Sequence, residues 1–154
     1  MSASPDDCGR QVLEVVPLVM RAIRAEMRSH RASNISVPQF RGMAFLSRHE
    51  GASLSDVAEH VGLTLPSMSN MVDRLVDRGL VTRHTRAEDR RRLTLSLTRQ
   101  GRTMLESARA ATQSSLAARL AALSPSDRQA VRRAMELLRG AFTPGRQAEA
   151  AARR

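Results

Sequence analysis

Side chains able to do chemistry are few in this chain, and those that cluster are arginines. The sequence has no Gly-rich phosphate loop, no Gly-x-Ser-x-Gly turn and no paired-carboxylate arrangement, so no catalytic site is expected. His30, His49, His60 and His84 show neither His-x-x-x-His spacing nor a Cys/His pairing, so neither a metal nor a cofactor is expected. What remains is recognition chemistry. Arg86, Arg90, Arg91 and Arg92 crowd one short stretch, and upstream Ser67, Asn70 and Arg74 recur at helical spacing. A guanidinium pairs bidentately with phosphate or guanine, and short amide and hydroxyl side chains bond phosphates and base edges.

The elements that must hold these groups can be read in order. Ser53 with Asp56 three residues on is a capping-box-like start, followed by Leu54, Val57, Ala58 and Val61 on one helical face. Gly62 offers the left-handed conformation of a sharp inter-helix turn. Thr64 caps a second helix with Pro66 in its first turn, and Met68, Met71, Val72, Leu75 and Val76 form its apolar stripe. Ser67, Asn70, Asp73 and Arg74 lie on the opposite face. This order predicts a helix-turn-helix whose second helix reads a DNA major groove. After Gly79, Leu80–Arg83 resumes as a short strand, and Leu93–Thr98 alternates strictly between apolar and hydroxyl residues, the mark of a half-buried strand. Between them lies a hairpin tip with four arginines, a wing able to reach a neighbouring groove. Arg91 there is the candidate for a narrow minor groove, with Arg86, Arg90 and Arg92 as phosphate contacts.

Composition agrees with a polyanion partner. The formal net charge is +10, and all 25 basic residues are arginine. Excess positive charge favours DNA through counterion release. No apolar run approaches the roughly 20 residues of a membrane span, and no secretory signal is evident. A length of 154 residues fits one domain, and with no Trp or Tyr the core must be built from Leu, Val, Met and Ala. The single cysteine excludes an internal disulfide and suits a reducing cytoplasm.

The run GLVTRHTRAEDRRRLTLSLTRQG resembles the wing of the MarR family of bacterial transcription regulators, with the characteristic Asp-x-Arg element present as Asp89-Arg90-Arg91. The Gln39–Gly51 helix and the Leu123-Ser124-Pro125 start of the last helix are similar to that family too. The resemblance implies a mainly α fold with a small β-hairpin wing, in which Arg91 enters the minor groove and Asp89 braces it by a salt bridge. It also implies a winged helix-turn-helix lobe (37–98) between dimerisation helices (9–30 and 99–142), all in one MarR-type domain. The terminal stretches 1–8 and 143–154 are expected from their own composition to be disordered.

The flanks fit that layout. Val12, Leu13, Val16, Val19, Met20, Ile23 and Met27 form an amphipathic stripe that Pro17 should kink or break, and Val131, Ala134, Met135, Leu138 and Phe142 form another. A homodimer would bury both stripes and read two half-sites about 34–36 Å apart or a multiple of that. The function expected is that of a cytoplasmic repressor, nucleoid-associated when bound. It would occlude a promoter at a near-palindromic double-stranded operator and be released by a small-molecule effector. Two rival readings are a non-specific architectural DNA binder and a redox sensor acting through Cys8. The second is disfavoured: Cys8 sits beside Asp6 and Asp7, whose charge opposes a thiolate, and the chain lacks the tyrosines that surround the sensing cysteine in that branch of the family. A third, a protein-interaction winged helix, does not account for Asn70 and the wing arginines.

Overall fold

The structure is a computed structural model that describes residues 4–29, 35–86 and 89–143, with only the backbone described at 85, 86 and 89–92. The chain divides into two compact units, Met1–Ser114 and Ser115–Arg154.

In the first unit α1 (Pro5–Ser29) precedes α2 (Val37–Leu46), β1 (Ala52–Ser53), α3 (Leu54–Val61), α4 (Leu65–Asp77), β2 (Val81–Arg86) and β3 (Asp89–Leu97). Helix α5 (Arg99–Leu120) runs from this unit into the second, which holds α6 (Pro125–Phe142). The strands form an antiparallel sheet in the order β1-β3-β2, with Thr82 opposite Ser96 and Arg83 opposite Leu95. The third strand was not expected, because two residues carry no readable alternation.

Local chemistry explains where each helix begins. Ser36 and Ser53 make reciprocal capping boxes with Gln39 and Asp56, and Thr64 accepts the Ser67 N–H at the start of α4. Gly62 ends α3 at φ 77°, where its N–H donates to the Ala58 and Glu59 carbonyls. The left-handed residue there turns the chain toward α4 at no steric cost. At Gly101 the reason for glycine is space: a Cβ would lie 2.1 Å from the Leu80 carbonyl oxygen, so the start of α5 can approach the end of the helix-turn-helix. The core of this unit gathers Met43, Leu46, Val57, Met68, Val72, Leu75, Leu80, Val81 and Leu95, each at most 1% exposed. It is a Met/Leu/Val interior, as the composition required.

One expectation changes and another narrows to one of its two outcomes. The expected arm of residues 1–8 is helical from Pro5, and Cys8 lies exposed in the first turn of α1. Ser4 supplies the cap, accepting the Asp7 N–H at 3.1 Å, while Pro5 and the acidic pair Asp6–Asp7 suit a helix N-terminus. Pro17 does not break α1, which continues to Ser29. Proline lacks only the one N–H that would reach the Leu13 carbonyl, and the turns on either side keep the helix running. Residues 144–154 of the expected disordered tail fall outside the described residues.

Candidate nucleic-acid interface

Helix α4 separates its two faces cleanly. Met68, Met71, Val72 and Leu75 are buried, while Ser67, Asn70 and Arg74 are exposed. The apolar face fixes the rotation of the helix, and the three candidate readers therefore stand together on the outer side. Ser67 is partly engaged, since its Oγ accepts a hydrogen bond from Thr64 Oγ1 at 3.0 Å. Arg74 borders a hollow of about 490 Å³ shared with Ser36, Gln39, Asp77 and Arg78.

The wing rises beside this helix. β2 and β3 pair from Val81↔Leu97 to Arg86↔Asp89, with a register irregularity between Thr85 and Arg86. The backbones of Arg86, Asp89, Arg90, Arg91 and Arg92 belong to these strands. Their side chains, and with them the bracing of Arg91 by Asp89, lie outside the described residues. At the wing's base Thr82 Oγ1 lies 2.9 Å from His84 Nε2, and Thr94 Oγ1 donates to the His84 carbonyl at 3.1 Å. Hydroxyls thus line the face of the hairpin opposite its buried leucines.

Sequence reasoning missed two contacts that set this geometry. Arg41 donates to the His60 and Val61 carbonyls at 2.8 and 3.1 Å, clamping the end of α3 to α2. A cation at a helix C-terminus also meets the negative end of its dipole. Nothing in the spacing of Arg41 announced this, because its partners are backbone atoms. Beside the clamp, Phe45 stacks on both His49 (centroids 4.2 Å) and His60 (4.6 Å). The His60 imidazole is held below its ordinary 6.5 by desolvation first, then by the charges of Arg41, Arg48 and His49. The second contact is the ion pair between Asp73 of α4 and Arg83 of β2, at 2.5 Å. The alternation of β2 could have pointed to it, since Arg83 shares a face with Val81.

Among the described residues no helix is long and apolar enough to cross a membrane, and no three His, Cys, Asp or Glu side chains gather as metal ligands would.

The sequence pattern of the MarR family matches residues 35–93, which span α2 through most of the wing. The HTH-type transcriptional regulator YfiV of Bacillus subtilis is 31% identical over 105 residues, covering 68% of this chain and 66% of that relative, just under two thirds of its length. Among solved structures, RV1404 from Mycobacterium tuberculosis superposes with a TM-score of 0.76 at 26% identity, covering 92% of this chain and 95% of that one. The M. tuberculosis MarR family protein RV2887, solved in complex with p-aminosalicylic acid, gives 0.68 at 25% identity, covering 84% and 96%. With its helix-turn-helix, its hairpin wing and these likenesses, the chain belongs to the MarR family, among DNA-binding transcriptional regulators and not among enzymes.

Proposed function

We propose that the protein is a homodimeric, sequence-specific repressor that occludes a promoter by binding a near-palindromic operator. The observation that carries this reading is the outward set Ser67, Asn70 and Arg74 on a helix whose other face is locked into a core. A rigid helix with short polar readers suits a major groove, and the adjacent hairpin carries Arg91 toward the flanking minor groove. Two-fold pairing is supported by apolar side chains left in solvent on α1 and α6, among them Leu13 (77% exposed) and Phe142 (68%). The lobe over 37–98 reads DNA, and the outer helices join two copies. Release by a small molecule, in the class of aromatic carboxylates, rests on the relative solved with p-aminosalicylic acid. Such a ligand acts only by binding one spacing of the two reading heads more tightly than the other.

The test is enrichment of bound duplexes from a randomised pool. The wild type is expected to return a two-fold symmetric motif. Asn70→Ala should lose discrimination at particular base pairs, worth about 1–3 kcal/mol for one good contact. Arg91→Ala should weaken binding more than Arg99→Ala, which lies at the start of α5. If no motif emerges and an unrelated duplex competes equally at fixed salt, the protein is a non-specific binder and the proposal fails.

A further inference from the structure

An exposed arginine shares a face of the wing with buried apolar residues. Arg83 pairs with Leu95 across the β2–β3 ladder, and residues directly opposite in an antiparallel pair share a face. Leu95 is fully buried, and Val81 and Leu97, the next pair on that face, are 1% and 6% exposed. Arg83 therefore starts out on the core side of the wing's first strand, with its side chain 31% exposed. Its guanidinium meets the Asp73 carboxylate, one turn beyond Asn70 and next to Arg74. The pair joins the outer edge of the reading helix to the arm that carries the wing.

We infer that the Asp73–Arg83 pair is a positioning device, setting the angle between recognition helix and wing so that both engage DNA together. This rests on the DNA-reading proposal above. A half-exposed ion pair adds little to stability, and a carboxylate on a DNA-facing helix repels phosphates. A purely electrostatic account therefore predicts that removing Asp73 should help binding. Positioning predicts the opposite sign. Fixing two elements at once cuts the ordering that binding would otherwise require.

The experiment uses the full-length protein and two duplexes, the one enriched by the wild type and an unrelated one of equal length. Asp73→Asn raises the net charge by one, yet it is expected to weaken the enriched duplex roughly tenfold, about the worth of one good contact. The unrelated duplex should be held as tightly as before or more tightly. Arg83→Gln should weaken the enriched duplex similarly, and the double variant no further, since both changes break the same link. Asp73→Glu and the swap Asp73→Arg/Arg83→Asp should recover part of the loss, with the thermal midpoint near that of wild type throughout. Unchanged or tighter binding of the enriched duplex by Asp73→Asn would overturn the inference while leaving the regulator reading intact. So would equal losses on both duplexes that track a falling thermal midpoint. Failure of the wild type to enrich any duplex removes the regulator reading, and this inference with it.

Discussion

Helices α4 and α6 are built by the same rules and end in opposite surroundings. Each starts with a Ser or Thr cap and an early proline, and each carries an apolar stripe at helical spacing. Yet α4 buries four residues, whereas α6 buries none and leaves Met135 and Phe142 at 52% and 68% exposure. An amphipathic pattern states that a face needs cover. It does not state what supplies the cover, and here the cover for α4 is intramolecular while that for α6 is proposed to be a second copy.

Substitution at the two helices should separate these cases. Leu75, 1% exposed in α4, touches the heart of the reading lobe. Leu75→Ala is expected to lower unfolding free energy by about 2–5 kcal/mol, the range for a buried Leu truncation. Because the cover for α4 is intramolecular, that loss should not depend on protein concentration in denaturant titrations. A concentration-dependent loss would mean that the lobe's core is itself completed by another chain. At α6, Met135→Asp puts a charge into the proposed interface and should weaken dimerisation by about 2 kcal/mol, the scale of an interface hot spot. Sedimentation over a dilution series reads it, with 16.9 kDa as the monomer mass. A variant as dimeric as wild type would show that α6 keeps its apolar face for something else.

The same distinction explains how much was legible in the sequence. The helix-turn-helix could be read nearly residue by residue, because caps, the Gly62 turn and the stripe of α4 are local signals, and they also fix which way Ser67, Asn70 and Arg74 face. The two-residue β1 was invisible, since its pairing with Leu95 and Thr94 is set by the sheet and not by its own composition. The start of α1 was misjudged because Asp6 and Asp7 were read as charge beside a thiol and not as the first turn of a helix. Arg41 and the Asp73–Arg83 link escaped for a common reason. Their partners are 19 and 10 residues away or more in the chain, brought together only by packing.

The smallest expected effect lies between these regions in kind, at a site that is exposed yet shaped by its neighbours. His60 stacks one ring face on Phe45 and sits near Arg41, Arg48 and His49, all of which disfavour its protonated form. Its folded-state value is lowered from 6.5, so below pH 6.5 the unfolded chain takes up a proton that the folded chain resists. Stability linked to His60 is therefore fully present above pH 6.5 and is lost as pH falls toward the lowered value. Solvent screening keeps this contribution small, and added salt should shrink the part due to the arginines while leaving the desolvation part. Thermal midpoints of wild type and His60→Gln, compared on the two sides of pH 6.5, measure it. The wild type should lose slightly more on acidification than the variant. An equal loss in both proteins would place the pH response elsewhere, and a larger loss in the variant would reverse the sign argued for this histidine.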